Sequence, residues 1–181
     1  MRIISGKYGR RLIKAPKNLP VRPTTDLAKE SLFNILANRI SFNDKSILDL
    51  FSGTGSISYE FLSRGSNDLT SVEMNNNCFR FIKETSGKFQ MGNHKVIRAD
   101  VFRFLKTNKK AYDLIFADPP YSIPNFDELV DLIFYNSLLN KNGILIVEHP
   151  AEIDFSEHKY FLERRKYSKV NFSLFVYLPE N

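Results

Sequence analysis

Hydrophobic and polar positions alternate in blocks between residues 46 and 148, and these blocks predict strands separated by helices. Short apolar runs, typical of buried strands, lie at Ile47–Phe51, Leu69–Glu73, His94–Ala99, Tyr112–Ala117 and Gly143–Glu148. The stretches between them predict helices over Ile57–Arg64, Cys78–Phe89, Phe102–Leu105 and Phe126–Leu139. Strands that alternate with helices in this way indicate a parallel sheet with helices on both faces.

The two ends of the chain follow other patterns. Two β-prone runs in the tail, Lys159–Lys166 and Val170–Leu178, predict an antiparallel hairpin that finishes the sheet. At the other end, Arg2–Ser5 and Arg11–Lys14 flank the turn Gly6–Gly9 and predict a second hairpin. We therefore expect an α/β fold with a mostly parallel seven-stranded sheet, helices on both faces and an N-terminal β-hairpin.

A helix start separates the N-terminal hairpin from the rest of the chain. Thr24 or Thr25 can cap this helix, and Asp26 places an acid in its first turn. We therefore divide the chain into a basic hairpin arm, residues 1–23, and one α/β domain, residues 24–181.

Composition agrees with one domain and a small appendage. The chain has 181 residues, of which 43% are hydrophobic and 25% are charged. Its formal net charge of +6 suits a polyanionic partner. Cys78 is the single cysteine, which excludes an internal disulfide and a cysteine-rich zinc site.

No segment points to a membrane or to a metal. No apolar run approaches the ~20 residues of a transmembrane helix, and Met1–Ser5 lacks the features of a signal peptide. His94, His149 and His158 show no metal-ligand spacing. We expect a cytoplasmic monomer without a bound metal.

The N-terminal hairpin is strongly basic, and no acid precedes Asp26. Tyr8 offers an aromatic face among the cations, a combination that is typical of nucleic-acid binding. A solvated basic hairpin is the alternative interpretation. We expect RNA contacts from Arg2, Lys7, Tyr8, Arg10, Arg11, Lys14 and Arg22.

An acidic residue lies near the end of each of the first four predicted strands of the parallel sheet, or just after it. The first strand ends in the segment Asp49–Gly55, and Glu73 is the last residue of the second strand. Asp100 follows the third strand and Asp118 follows the fourth. In open α/β sheets ligands bind outside the carboxyl ends of the strands. These acids are therefore expected to surround one ligand.

The nature of that ligand follows from its surroundings. Gly53-Thr54-Gly55 allows close approach of the backbone, and Glu73 lies 20 residues after Gly53, the spacing at which an acid reaches a ribose diol. A pyrophosphate would be repelled by the nearby Asp49 and Asp100, whereas acids favour the sulfonium and ammonium groups of S-adenosylmethionine. We therefore expect S-adenosylmethionine rather than a dinucleotide.

Asp118-Pro119-Pro120-Tyr121 forms a rigid loop after the fourth strand, because each proline fixes its φ angle and lacks an N–H donor. A proline-rich turn is the plain structural interpretation. Opposite a methyl donor, the Asp118 carboxylate and the Pro119 carbonyl can accept the two hydrogens of an exocyclic amine, while Tyr121 stacks on the base. We expect Asp118, Pro119, Pro120 and Tyr121 to form the catalytic loop, acting through orientation and electrostatic preorganisation.

Four further stretches resemble one family of class I methyltransferases. Arg2–Tyr8, Val21–Asp26, Asp49–Gly55 and Leu62–Gly65 are similar to the bacterial 16S ribosomal RNA guanine-N2 methyltransferases of the RsmD family. The resemblance spans nearly the whole chain and is weakest after residue 148. It implies a Rossmann-like class I methyltransferase domain over residues 24–181. It also implies methylation of a guanine N2 amine in 16S rRNA, within a small ribosomal subunit or an assembly intermediate.

The resemblance also assigns residue roles. Glu73 would bind the ribose hydroxyls and Asp100 the adenine amino group, with Met74 and Val101 packing on the adenine ring. The family commonly has Ala and Gly where this chain has Ser52 and Ser58. The implied cofactor-binding residues are Thr24, Thr25, Asp49, Phe51, Ser52, Gly53, Thr54, Gly55, Glu73, Met74, Asp100 and Val101.

Three alternatives stay open. A DNA or RNA adenine-N6 methyltransferase would use the same loop, although such DNA enzymes usually carry an inserted recognition domain. A protein-glutamine methyltransferase uses a related loop but resembles a chain with an added helical N-terminal domain. A non-enzymatic RNA-binding module would explain the basic hairpin and leave Glu73, Asp100 and Asp118 without a role.

Overall fold

The computed structural model describes residues 1–16, 19, 26–123, 125–167 and 170–177. Among these, the helices are α1 Asp26–Ala37, α2 Ser56–Ser63, α3 Asn76–Lys88, α4 Val101–Thr107 and α5 Phe126–Tyr135. The strands are β1 Ser46–Leu50, β2 Asp68–Glu73, β3 His94–Arg98, β4 Tyr112–Ala117, β5 Leu139–His149, β6 Phe161–Tyr167 and β7 Val170–Phe175. The predicted alternation of strands and helices is confirmed.

All seven strands form one sheet in the order β3-β2-β1-β4-β5-β7-β6. Strands β1 to β5 are parallel, and β7 runs antiparallel to both β5 and β6. The mostly parallel seven-stranded sheet predicted from the sequence is therefore confirmed. We call the side of the sheet where β1 to β5 end the carboxyl edge.

Successive residues of the central strands enter two separate hydrophobic cores, because neighbouring side chains of a strand point to opposite faces. On β1, Ile47 packs in one core and Leu48 in the other. The first core is covered by α1, α2 and α3, and the second by α4 and α5. Helices on both faces are thus confirmed.

Several predicted boundaries are wrong, most clearly the end of the last helix and the start of β5, which is predicted at Gly143 and lies at Leu139. The last helix ends at Tyr135, not Leu139, because Ser137 adopts a left-handed conformation with φ 53° and turns the chain. The carbonyl of Leu138 then accepts a hydrogen bond from the N–H of Tyr112 at 2.8 Å, so β5 already begins at Leu139. The first strand likewise ends at Leu50, because Phe51 has φ 59° and starts the following loop.

The predicted N-terminal β-hairpin is not confirmed. Among the described residues of this segment, one isolated antiparallel bridge joins Arg2 to Leu12. Backbone hydrogen bonds from the Ile3 N–H to the Arg11 carbonyl, at 3.0 Å, and from the Ile13 N–H to the Met1 carbonyl, at 2.9 Å, flank this bridge. The N–H groups of Ile4 and Ser5 donate to the Glu60 carboxylate, at 2.7 and 3.0 Å.

Residues 4–8 are docked on α2. Glu60 is completely buried, accepts a hydrogen bond from Arg64 Nε at 2.8 Å and lies 3.9 Å from the buried Lys29 ammonium. Further along, Lys7 N–H donates to the carbonyl of Ser63 at 2.7 Å. The boundary expected at residue 23 lies outside the described residues. Nowhere in the described chain is there a helix long and apolar enough to cross a membrane.

Candidate active site

The strand register brings the predicted acids to the carboxyl edge. Leu50 pairs with Val72 on one side and with Ala117 on the other, so Glu73 and Asp118 follow at the same level. Asp100 comes two residues after Arg98, which pairs with Glu73. Four acids that are far apart in sequence therefore lie at the ends of adjacent strands.

The loop between β1 and α2 is built around left-handed backbone conformations. Phe51, Gly53 and Gly55 have φ angles of 59°, 54° and 78°. The loop is fixed by hydrogen bonds from Ser52 N–H to the Val72 carbonyl, at 3.1 Å, and from Gly55 N–H to the Ser52 carbonyl, at 2.7 Å. A Cβ atom on Gly55 would lie 2.8 Å from Cζ of Tyr59, which packs beneath the loop. Glycine at this position is therefore required by both conformation and space.

Glu73 joins this loop to the end of β2. Its Oε2 accepts a hydrogen bond from the Gly53 N–H at 2.8 Å, and its Oε1 accepts one from the Asn75 N–H at 2.7 Å. Burial raises the pKa of Glu73, and these backbone donors oppose the rise. Each carboxylate oxygen has a further lone pair, which suits it to accept hydroxyl groups of a ligand.

Asp49 lies beneath the same loop and is almost completely buried, with 1% exposure. Burial raises the pKa of Asp49 to about 7; the nearby charges of Asp118 and Glu73 add to the rise, and a hydrogen bond from Ser58 opposes it. A buried acid among other acids is suited to a cationic ligand, because a positive charge would favour its ionised form.

The third acid has a different environment. Asp100 is exposed and caps α4, where its Oδ1 accepts a hydrogen bond from the Arg103 N–H at 2.9 Å. Val101 beside it is buried, whereas Met74, after β2, is 67% exposed. An exposed methionine side chain of this kind offers an apolar surface on which a planar ring can pack.

The Asp118–Tyr121 loop leaves the sheet beside the β1 loop. The N–H of Asp118 reaches the carbonyl of Leu50 at 3.5 Å, and the N–H of Ile123 donates to the carbonyl of Pro120 at 3.0 Å. Pro119 is buried, while the Tyr121 side chain is 46% exposed. The loop thus has a fixed base and presents an accessible aromatic ring.

Residues 1–8 run along α2, at increasing distance from the carboxyl edge. Met1 is close to the loop, because Thr54 Oγ1 lies 3.6 Å from its sulfur, whereas Lys7 binds Ser63 at the far end of the helix. Eight residues of α-helix span roughly 12 Å. Lys7 is therefore about one helix length from the loop between β1 and α2.

Tyr8 does not lie where a stacking platform was expected. Its ring is 7% exposed and packs in the hydrophobic core, with the Lys7 ammonium and the Arg11 guanidinium each 5.3 Å from its centroid. A base cannot stack on a ring covered in this way, so we leave Tyr8 out of the proposed RNA contacts. Arg2, Arg10, Arg11 and Lys14 are exposed.

Three predicted site residues, Arg22, Thr24 and Thr25, lie outside the described residues. Over the part of the chain that the structure describes, no group of three or more His, Cys, Asp and Glu side chains could hold a metal ion.

The hydrogen-bonded link from Asp49 through Ser58 and Ser71 to His94 was not predicted from the sequence. Short polar side chains inside apolar runs were a weak signal for it.

Comparison with known proteins is consistent with this geometry. The family model described as Conserved hypothetical protein 95 matches residues 1–177. A relative from Buchnera aphidicola subsp. Baizongia pistaciae (strain Bp), named Ribosomal RNA small subunit methyltransferase D, is 31% identical over 180 residues, which cover 97% of this chain and 91% of the relative.

Solved structures show the same fold. The structure of yhhF from Escherichia coli matches with a TM-score of 0.85 and 28% identity, covering 97% of this chain and 96% of that one. SMU.776, solved in complex with S-adenosylhomocysteine, matches with a TM-score of 0.66 and 21% identity, covering 84% of this chain and 50% of that one. The chain therefore belongs to the Conserved hypothetical protein 95 family, the RsmD family, and folds as a class I S-adenosylmethionine-dependent methyltransferase.

Proposed function

We propose that this protein transfers a methyl group from S-adenosylmethionine to the exocyclic N2 amine of one guanine in 16S rRNA. The observation that carries the proposal is the position of the Asp118–Tyr121 loop directly beside the loop of residues 51–55, which we call the glycine loop, and beside the acids Asp49 and Glu73. Support for an rRNA substrate comes from the relative named Ribosomal RNA small subunit methyltransferase D.

The acids and the glycine loop are suited to the cofactor. Asp49, together with residues 51–55, would hold the methionine part, and Glu73 would accept hydrogen bonds from the ribose hydroxyls. Asp100 would bind the adenine amino group, while Met74 and Val101 contact the ring. These roles match a ligand with positive charge at one end and hydrogen-bond donors at the other.

The Asp118 loop would hold the acceptor amine. An exocyclic amino nitrogen is a weak nucleophile, because its lone pair is delocalised into the ring. If the Asp118 carboxylate and the Pro119 carbonyl accept its two hydrogens, the lone pair is directed toward the methyl carbon. S-adenosylmethionine, when bound, supplies that carbon on a sulfonium leaving group. Asp118 need not be a strong base, since the proton can leave after the methyl group has been transferred. Orientation of the amine relative to the methyl carbon then supplies most of the rate acceleration.

Tyr121 and the basic segment would hold the RNA. The exposed Tyr121 ring can stack on the target base, which must be unpaired or flipped out to reach the loop. Arg2, Lys7, Arg10, Arg11 and Lys14, with Arg22, would contact phosphates. A small ribosomal subunit or an assembly intermediate in the cytoplasm is the proposed setting, with a monomeric enzyme.

The experiment that tests this function supplies methyl-labelled S-adenosylmethionine with naked 16S rRNA, with small ribosomal subunits and with DNA. The labelled nucleoside is then identified by mass spectrometry after digestion. Labelled N2-methylguanosine from rRNA or subunits is the expected product. Labelled N6-methyladenine would replace the proposal with an adenine methyltransferase, and the absence of label from every substrate would leave an RNA-binding module.

A further inference from the structure

A chain of hydrogen bonds leads from Asp49 through the interior, across one face of the sheet, to β3 and α3. Ser58 Oγ hydrogen-bonds to Asp49 Oδ2, and it lies 2.6 Å from Ser71 Oγ. Ser71 Oγ in turn lies 2.6 Å from His94 Nε2, and the other ring nitrogen, Nδ1, lies 2.6 Å from Ser86 Oγ. Four consecutive short contacts thus join the site to a histidine on the strand at the edge of the sheet.

Two arrangements of protons satisfy every contact in this chain, and they differ in direction. When Asp49 is ionised, Ser58 donates to it, Ser71 donates to Ser58, and the His94 Nε2–H donates to Ser71. When Asp49 carries its proton on Oδ2, it donates to Ser58 and each later bond reverses, so the His94 proton moves to Nδ1 and faces Ser86. The tautomer of neutral His94 therefore reports whether Oδ2 of Asp49 is protonated.

His94 can end a hydrogen-bond chain that reverses direction because its imidazole ring stays neutral. Burial lowers the pKa of His94 to about 4, so one ring nitrogen donates while the other accepts at physiological pH. Its ring also contacts Tyr59 edge-on, with 6.5 Å between the ring centroids. On its outer side it shares a surface cavity with Asn67, Asp68, Asn93 and Lys95. The charged groups at the outer end are thus Asp68 and Lys95, and those near Asp49 are Asp118 and Glu73.

We propose that Ser58, Ser71 and His94 are positioning residues that orient all their donors toward Asp49 when a cationic cofactor binds. This inference rests on the proposed contact between Asp49 and S-adenosylmethionine. Hydrogen bonds in a common direction polarise one another, so the chain would stabilise the carboxylate from the side that faces away from the ligand. His94, at its outer end, would act on the cofactor indirectly through two serines.

The first test determines the His94 tautomer from the ¹⁵N chemical shifts of its two ring nitrogens, measured by NMR in the full-length protein. Without ligand, raising the pH from 5 to 9 is expected to convert His94 from the Nδ1–H to the Nε2–H form, and Asp49→Asn should abolish the conversion. At pH 6.5, adding S-adenosylmethionine should produce the same conversion. A tautomer that changes with neither pH nor ligand would overturn the proposed coupling between Asp49 and His94. A change with pH alone would instead show that Asp49 does not meet the cofactor, and would overturn its proposed role.

The second test uses variants at the outer end. His94→Leu should weaken S-adenosylmethionine binding by roughly five- to tenfold, because Ser71 loses a buried donor. His94→Gln, which keeps a donor and an acceptor, should restore most of the affinity. His158→Leu, whose histidine packs near Phe134 and Tyr160, serves as the matched control for loss of a ring. Wild-type affinity in His94→Leu would contradict the proposal, as would equal losses in His94→Leu and His158→Leu.

Discussion

The backbone N–H of Gly53 donates a hydrogen bond to Glu73 Oε2 at 2.8 Å, so the glycine loop after β1 is attached directly to the end of β2. The residue expected to bind the ribose therefore also fixes the loop expected to hold the methionine part. A change at Glu73 should affect both halves of the cofactor site.

Glu73→Gln should weaken binding of S-adenosylhomocysteine by about tenfold, since the neutral amide is a poorer acceptor and directs a donor toward one of the two N–H groups. Isothermal titration calorimetry measures the change. Glu84→Gln, at an exposed position on α3, is the matched control and should bind as the wild type does. Unchanged affinity in Glu73→Gln would show that this carboxylate serves only the loop.

Gly55→Ala should destabilise the protein by about 2 kcal/mol, because alanine is strained in a left-handed conformation and its Cβ would meet Tyr59. Gly87→Ala is the matched control: Gly87 lies in α3, and a Cβ added there meets nothing within 4 Å. The control should gain roughly 0.5–1 kcal/mol. Urea unfolding of the two variants should move their midpoints in opposite directions, and a shift of both in the same direction would contradict the described loop.

Asp49→Asn should stabilise the ligand-free protein increasingly as the pH rises. The pKa of Asp49 is raised to about 7 in the folded state from an ordinary value of 3.8, so the folded state retains a proton that the unfolded chain has lost. Wild-type stability therefore falls between pH 4 and pH 7, and the variant escapes this loss, on the order of 2–4 kcal/mol. Thermal unfolding from pH 4 to pH 8 measures the trend. Asp127→Asn, on the exposed start of α5, controls for the loss of one charge, and a pH-independent difference for Asp49→Asn would contradict the account.

Replacing Lys7, Arg10 and Lys14 together by Gln should weaken RNA binding and lower its salt dependence. The slope of log K against log salt should become shallower by about 0.7 for each phosphate of single-stranded RNA that the variant no longer neutralises. The exposed residues Lys83, Lys88 and Lys95 supply a control triple variant with the same change in charge. Equal weakening in the two triple variants would indicate a nonspecific charge effect, and loss of cofactor binding in the first would indicate a structural role.

The convergence of Asp49, Glu73, Asp100 and Asp118 could be predicted from the sequence for a simple physical reason. Parallel strands end at the same edge of a sheet, so residues that follow them meet whatever their separation along the chain. The sheet itself could be predicted because the patterns of strands and helices are local. The two cores then follow from burying both faces of the sheet.

The docked N-terminal segment and the hydrogen-bond chain beyond Asp49 could not be predicted in this way. Glu60 resembles an ordinary polar residue of α2, yet its carboxylate binds the N–H of Ile4, which is 56 residues earlier in the sequence. Likewise, Ser58 and His94 meet through Ser71 only after α2 has packed on the sheet. Such contacts depend on packing between elements, which local periodicity does not report.

The most direct test of the proposed function compares methyl transfer and cofactor binding in Asp118→Ala. With methyl-labelled S-adenosylmethionine and small ribosomal subunits, the wild type should label guanine N2. The variant should lose at least about 100-fold in kcat while it binds S-adenosylhomocysteine with nearly wild-type affinity, because its missing carboxylate orients the acceptor rather than the cofactor. Wild-type turnover in Asp118→Ala would contradict the assignment of this loop as the catalytic site.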